Sequence, residues 1–219
     1  MRLHLSSISP WLLSLTLVAA ASGCDNDPAK DKVKAEVSQA VAPATPAPKA
    51  AQAATKYTFS QANSKFEFVG AKVTNKHHGS FGSFSGSVNL VDGKPEKSSV
   101  VADIEMASVS VDDERLTGHL KTPDFFDVAK FPRARFTSTS ITPQGVNGTT
   151  YQVTGNLELH GITKSISFPA TITVAGDTVD VNAEFAINRK DFGIVYPGAP
   201  DDLIKDDVLM RLKLHASKA

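Results

Sequence analysis

The sequence predicts an all-β fold, an antiparallel sandwich or closed barrel of about eight strands, from three observations. Apolar and polar residues alternate through most of the chain beyond Tyr57. Glycine-containing turn dipeptides separate the alternating runs. The runs number about eight, each of strand length and rich in Val, Ile, Phe and Thr.

The first residues of the 219-residue chain are expected to lie outside this fold. In "MRLHLSSISPWLLSLTLVAAASGC" a single Arg2 precedes the uncharged, largely apolar stretch Trp11 to Ala21, and small residues lead into Cys24. This is the pattern of an export signal over residues 1–23, too short to span a bilayer. The ending Ala21-Ser22-Gly23-Cys24 resembles the lipobox of bacterial lipoproteins, with Ala21 where leucine is usual; it implies diacylglycerol on Cys24 and a membrane anchor. Cys24 is the only cysteine, so a lipidated chain has no thiol or disulfide chemistry. Without Arg2, 22 basic residues face 23 acidic ones, a balance that gives no electrostatic case for nucleic acid.

Residues 24–56 carry no aromatic before the final Lys56 and are dominated by Ala, Pro and Lys, the composition of a flexible tether. Val33, Val37 and Val41 fall at helical spacing, so a transient helix is compatible with it. As a coil such a segment reaches roughly 30 Å, and extended about 100 Å. The domain proper is expected over residues 57–218.

Within it, Lys65–Thr74 and Phe81–Leu90 are strand candidates, the first with a phase switch between Phe68 and Val69, beside Gly70, that predicts a bulge or bend. Val100, Ala102, Ile104 and Met106 alternate with polar neighbours; Arg133–Ile141 follows. Tyr151, Val153, Gly155, Leu157 and Leu159 form the next run, then Lys164–Val174, then Val179 to Ile187, and finally Val208, Met210, Leu212 and Leu214. Asp92-Gly93, Asn147-Gly148 and Gly176-Asp177 are hairpin turns. The glycosylation sequon at Asn147 is taken as turn chemistry. Gly86, Ala102, Gly155 and Ala183 fall near mid-strand in the inward phase; small residues there remove volume, which favours a cavity over a solid core.

Between the strands lies "DDERLTGHLKTPDFFDVAKFP", Asp112 to Pro132. Asp112, Asp113, Arg115 and His119 could be an acid–base set, but no nucleophile motif accompanies them. A short helix accounts for the same residues: Ser110 or Asp112 as cap, acids in the first turn, His119 in the last, Arg115 and His119 on one face. Thr122-Pro123 predicts a second short helix carrying Phe125 and Phe126. His77 and His78 would point to opposite faces of a strand, and His119, His160 and His215 show no ligand spacing, so no metal and no other cofactor is expected. The acids of "DDLIKDD" lack the calcium-loop pattern. Arg189 in "INRKDFG" either ties down a turn through an ion pair or carbonyl contacts, or presents a cation to a ligand head group.

The segments "HHGSFGSFSGSV", "SVSVDDERLTGHLKTPDFFDVAKFPRARFTSTS", "GNLELHGITKSISFPATI" and "AEFAINRKDFGI" occur in the order and spacing of the YceI-like family, which the chain resembles over about residues 57–218. The loop "DFGIVYPGAPDDLIKDDV" is longer than a minimal member needs. The resemblance implies an eight-stranded antiparallel lipocalin-like barrel with one or two short helices at one end, periplasmic or secreted, enclosing a long apolar ligand such as a polyisoprenoid or fatty-acid derivative. On that reading the cavity wall is Phe68, Phe84, Ala102, Ile104, Met106, Phe125, Phe126, Phe136, Gly155, Leu157, Ala183, Phe185 and Met210, with Arg115, His119 and Arg189 as candidates for the ligand head group. The expected protein is a non-catalytic, lipid-anchored component of the periplasmic side of the envelope. Its expected partners are an isoprenoid or other long-chain lipid and a membrane through Cys24; a homodimer is compatible and nucleic acid is not. Asp25 after Cys24 resembles an inner-membrane retention signal. The alternatives are a structural or protein-interaction module with a filled barrel and, more remotely, a lipid-modifying enzyme.

Overall fold

The computed structural model describes residues 27–41, 54–144 and 150–219. The strands are β1 (Glu36–Gln39), β2 (Ala54–Ser60), β3 (Lys65–Ala71), β4 (Lys76–Phe81), β5 (Phe84–Val91), β6 (Lys94–Glu105) and β7 (Val109–Val111), then helix α1 (Glu114–Leu120). After it come β8 (Arg133–Pro143), β9 (Tyr151–Leu159), β10 (Ile162–Ala175), β11 (Thr178–Asn188), the two-residue β12 (Gly198–Ala199) and β13 (Asp202–Leu203), and β14 (Asp207–Lys218). Antiparallel pairing runs β10-β9-β8-β6-β5-β2-β14, and β11 pairs with both β14 and β10, which closes an eight-stranded barrel.

Three of the barrel strands are broken at one level. β3 continues the line of β2 along β14, β4 that of β5, and β7 that of β6. The interruptions at Gln61–Ser64, Gly82–Ser83 and Met106–Ser108 are bound to one another: Gly82 N donates to the Ser108 carbonyl (3.1 Å), Glu105 N to that of Ser83 (3.0 Å) and Phe84 N to the Gln61 side chain (3.3 Å). The break divides the barrel into two halves of different filling.

The half made by β2, β5, β11 and the ends of β8 to β10 is solid. Phe168 stacks on Phe185 at 4.2 Å, Phe136 lies 5.8 Å from Phe168, and Phe66 meets Phe84 edge-on at 4.8 Å. The small residues here do not leave space, which corrects the expectation drawn from them. A Cβ on Gly86 would lie 2.1 Å from Phe59 Cζ, and one on Gly155 2.4 Å from Phe136 Cζ. Each glycine is the seat for a neighbouring aromatic ring, so its missing volume is occupied across the strand.

Beside Gly70 the β3 register with β4 is continuous, but pairing with β14 stops at Val69–Leu209 and resumes, shifted, at the Lys72–Ile204 bridge, the irregularity expected there. The phase switch has a further cause. Val69 and its register partner Leu209 point out of the barrel yet are 2% and 1% exposed, as is Ala186 beside Leu209 (0%).

Paired to Ala186 of that patch is the N-terminal stretch 27–41, which was expected to be tether or transient helix. It lies on the barrel instead. β10 and β11 pair only at Thr171–Ala175 with Thr178–Asn182, and part towards Pro169, which has no N–H for a ladder. The N-terminal stretch fills the resulting seam: Ala35 N and Ala186 N bond to the carbonyls of Ala186 and Val33 (2.8 and 2.9 Å), while β1 pairs with Ser167 to Lys164 of β10. Ala35 and Val37 face the core; Lys32 and Lys34 ion-pair with Glu184 and Asp207. Unpaired backbone along both seam strands is a stronger determinant than composition. The barrel also begins earlier than expected, at Ala54. The signal segment, Cys24, the rest of the tether and the Asn147-Gly148 turn lie outside the described residues.

Candidate functional site

The other half of the barrel is hollow. A cavity of about 550 Å³ opens between β3, β4, β14, the ends of β6, β9 and β11, and α1, which lies across it. Its wall is mainly apolar. An aromatic row runs along one side, Phe68 to Phe81 at 5.6 Å and Phe81 to Phe126 at 6.0 Å, with Ile104, Met106, Leu157 and Met210 on the facing strands. Met106, at the strand break, is 1% exposed and forms part of the floor above the solid half.

The lid is held at both ends by polar contacts. Asp113, not Ser110 or Asp112, is the N-cap, accepting from Leu116 N at 3.0 Å. Asp112 instead clasps β4: its carboxylate accepts from His78 N (3.1 Å) and meets His77 Nδ1 (2.7 Å). Those bonds, the His78 amide first, hold the Asp112 carboxyl below the usual carboxylate range. At the far end the Thr122 hydroxyl donates to the His119 carbonyl (2.8 Å), so Thr122 closes α1 rather than starting a second helix. Residues 121–131 form consecutive turns, including one with Asp127 at φ 45°. One helix therefore forms, not two; the turns still deliver Phe125 and Phe126 to the cavity wall.

Arg115 and His119 line the same cavity, as their four-residue spacing implied. His119 Nε2 meets Asp124 at 2.8 Å, and its ring sits edge-on to Phe125 (4.9 Å) and Tyr196 (5.2 Å). Arg115 is exposed in the first turn of α1, and its charge acts on the Asp113 carboxylate beside it. Arg189 also borders the cavity, but its donors are directed elsewhere: Nη1 to the Ile194 carbonyl (2.7 Å), Nε to that of Lys205 (3.1 Å), Nη2 to Ile204 (3.5 Å) and Asp206 (3.3 Å). Of the two roles open in the sequence, it performs the tying of the loop, pinning residues 194 and 204–206 to the barrel rim. Burial pushes its guanidinium pKa down, a cost these partners offset.

Ten of the sequence-derived residues thus converge on the hollow half: Phe68, Ile104, Met106, Phe125, Phe126, Leu157, Met210, Arg115, His119 and Arg189. Phe84, Ala102, Phe136, Gly155, Ala183 and Phe185 do not; they share the inward phase but lie past the strand break, in the packed half. Alternation identifies the inward face of a strand, not the height at which the barrel is hollow. Sequence reasoning missed Phe81, Leu116 and Leu120, for which α1 periodicity was an available signal in the two leucines. It also missed Ile194 and Ile204, which arrive from loops without periodicity.

The wall contains Lys72, His77, Asp113, Arg115, His119 and Arg189 as its ionisable groups and no Ser, Thr or Cys. Asp113 is used as a cap and His119 by Asp124, so no nucleophile–base pair is assembled on it. Among the described residues no three His, Cys, Asp or Glu converge as a metal site. Three of the four acids of the long loop are engaged: Asp202 with Lys72 and Thr74, Asp206 with Arg189 and Lys190, Asp207 with Lys34.

Residues 57–216 match the YceI-like domain family. A UPF0312 protein of Pseudomonas putida is 36% identical over 137 residues, 60% of this chain and 70% of that protein. A UPF0312 protein of Pseudomonas fluorescens is 34% identical over the same length and the same shares. Among solved structures, BcnA of Burkholderia cenocepacia superposes with a TM-score of 0.65 at 26% identity, covering 73% of this chain and 99% of that one. A polyisoprenoid binding domain from Saccharophagus degradans, implicated in plant cell wall breakdown, shares the fold with a TM-score of 0.60 at 16% identity, covering 76% and 100%.

Proposed function

Since the chain belongs to the YceI-like domain family, we propose that it is a non-catalytic carrier of the cell envelope that holds a long apolar chain in the hollow half of its barrel. The ligand class is a polyisoprenoid, an isoprenoid quinone or a fatty-acid derivative. The observation that carries this reading is the apolar cavity of about 550 Å³ under α1, floored by packed aromatics. At the roughly 30 Å³ that a water-sized group occupies in a liquid, it accommodates about 18 such groups, between three and four isoprene units. The polyisoprenoid binding domain that shares this fold supports the choice of ligand class.

The driving force is desolvation. At about 0.8 kcal/mol per buried methylene, one five-carbon unit contributes roughly 3–4 kcal/mol gross, so three units offset a large part of the cost of association. Arg115, exposed at the mouth, is placed to meet an anionic or strongly polar head group, with His119 beside it. The chain is held on the periplasmic side of the envelope by acylated Cys24. A filled barrel serving only as an interaction module fits the solid half and not the hollow one.

Native mass spectrometry and solvent extraction of the protein from its own host test the reading. A co-purifying lipid is expected, and a homologous probe series should bind more tightly with length until the cavity is full, then level off. Absence of any lipid, together with failure to bind every member of the series, would overturn it.

A further inference from the structure

We propose that the loops around the cavity mouth form a bilayer-docking surface, through which the barrel takes its chain directly out of a membrane; this rests on the chain-holding reading above. Four large apolar side chains are conspicuously exposed among the described residues, and three of them stand on two loops of this rim: Val73 (56%), Val195 (61%) and Leu203 (49%). The loops act as one unit. Val73 N donates to the Leu203 carbonyl (3.1 Å), Lys72 bridges Ile204, and Ile204 N donates to the Pro197 carbonyl (2.9 Å). Arg189 fixes the longer of these loops from within through the carbonyls of Ile194 and Ile204.

The chain neighbours of the three tips, Lys72, Ile194 and Ile204, line the cavity. On the longer loop an apolar surface therefore runs from Ile194 and Ile204 in the cavity wall to Val195 and Leu203 in solvent, while Lys72 is paired with Asp202. A chain leaving a bilayer along it passes between two apolar media and is never fully hydrated, which removes most of the barrier that free transfer through water imposes. Exposed apolar side chains gathered at the mouth of an apolar cavity mark such a contact, whereas singly scattered ones do not.

The charges on this rim are in part paired and supply no attraction of their own to a bilayer. Asp202 and Asp206 are neutralised by Lys72, Arg189 and Lys190. The remainder is slightly acidic, with Arg115, Lys76, Lys121 and Lys205 against Asp112, Asp113, Glu114, Asp124, Asp191 and Asp201, so this rim has no basic patch for anionic lipid. Docking is accordingly driven by apolar insertion and depends little on salt. Chain length favours the same partner: only two residues lie between Cys24 and Asp27, where the docked stretch begins, a reach of about 10 Å. With Cys24 acylated the barrel is held at the membrane surface, not on the long leash that composition implied.

The test uses the full chain carrying Cys24→Ser, so that no acyl group can anchor it, and vesicles of phosphatidylethanolamine and phosphatidylglycerol. The parent should co-sediment with vesicles, and Val73→Ser, Val195→Ser and Leu203→Ser together should lower its partition coefficient about tenfold, equally at low and high salt. All three side chains are exposed, so an unchanged melting temperature should accompany that loss. A water-soluble fluorescent fatty acid reports the cavity independently and should bind parent and variant alike. A parent that binds this probe but not vesicles, or a triple variant that partitions as the parent does, overturns the docking surface alone. A parent that binds vesicles but not the probe supports the docking surface and refutes the chain-holding reading. Self-association of the parent that the triple variant abolishes, without vesicle binding, would assign the rim to a second copy of the chain and overturn the proposal.

Discussion

Alanine at two glycines should have opposite effects, because one seats a ring and the other faces open space. A Cβ on Gly155 would stand 2.4 and 2.6 Å from two carbons of Phe136 and 2.6 Å from the Thr137 carbonyl oxygen. The ring can turn aside, but the carbonyl belongs to the β8 ladder and cannot move without breaking it. Overpacking of this kind costs about 1–3 kcal/mol. For a domain of this size that corresponds to a fall in melting temperature of roughly 2–12 °C. Gly86→Ala should behave likewise, since its Cβ would meet Phe59 Cζ at 2.1 Å and the Val101 carbonyl at 2.5 Å. At Gly70 no atom lies within 4 Å of the added carbon and φ is not in the left-handed region, so alanine should stabilise by about 0.4–1 kcal/mol through the unfolded chain. Scanning calorimetry on the three single variants measures all of this. If Gly155→Ala and Gly86→Ala melt with the parent, the glycines leave real voids and the two-halves description of the interior is wrong.

Arg189→Met removes the partner of three carbonyls and of Asp206, and should lower stability by about 3–5 kcal/mol in urea titration; unchanged stability with weaker ligand binding would instead make it a head-group cation. Asp112 is held below its ordinary pKa by the His78 amide and then the His77 ring, and Glu184 by Lys32 and then Arg211. Such carboxylates contribute stability that is fully present above the unfolded value, near 3.9–4.3, and is lost as pH falls through the folded one. The melting temperature should thus drop below about pH 4, less steeply in Asp112→Asn, and a flat profile from about pH 5 to 3 would contradict these assignments. Val37→Asp places a carboxylate where the seam meets the core and should cost about 1–3 kcal/mol. Amide exchange should then rise at Ile166 and Ala186 while Val153 stays protected; equal protection at all three would mean that the seam does not depend on the N-terminal stretch.

Much of this was legible before folding. Period-two alternation located β6, β9, β11 and β14, and glycine turns such as Asp92-Gly93, whose residues both adopt positive φ (53° and 67°), separated them. Arg115 and His119 were placed on one face by spacing alone. The His160-Gly161 turn, with φ of 53° and 73°, carries the same chemistry and was overlooked because His is an uncommon first residue there. β4 and β7 were missed because each is short and only completes a strand begun elsewhere. The second helix failed for a local reason, since one hydroxyl cannot both close α1 and open another helix.

The sequence by itself determined what depends on neighbours along the chain: which residues form strands, which face each strand turns inward, where the hairpins bend, and how α1 is oriented at the barrel mouth. Those choices follow from backbone sterics and periodicity. The tertiary structure decided what depends on distance through space. It set where the barrel is solid and where it is hollow, because that turns on whether a ring from the next strand fills a glycine's gap. It decided Arg189's role, since its carbonyl partners lie up to sixteen residues away on another loop. It also took a stretch with the composition of a tether and made it part of the wall, because two parted strands left backbone groups that only a third segment could pair.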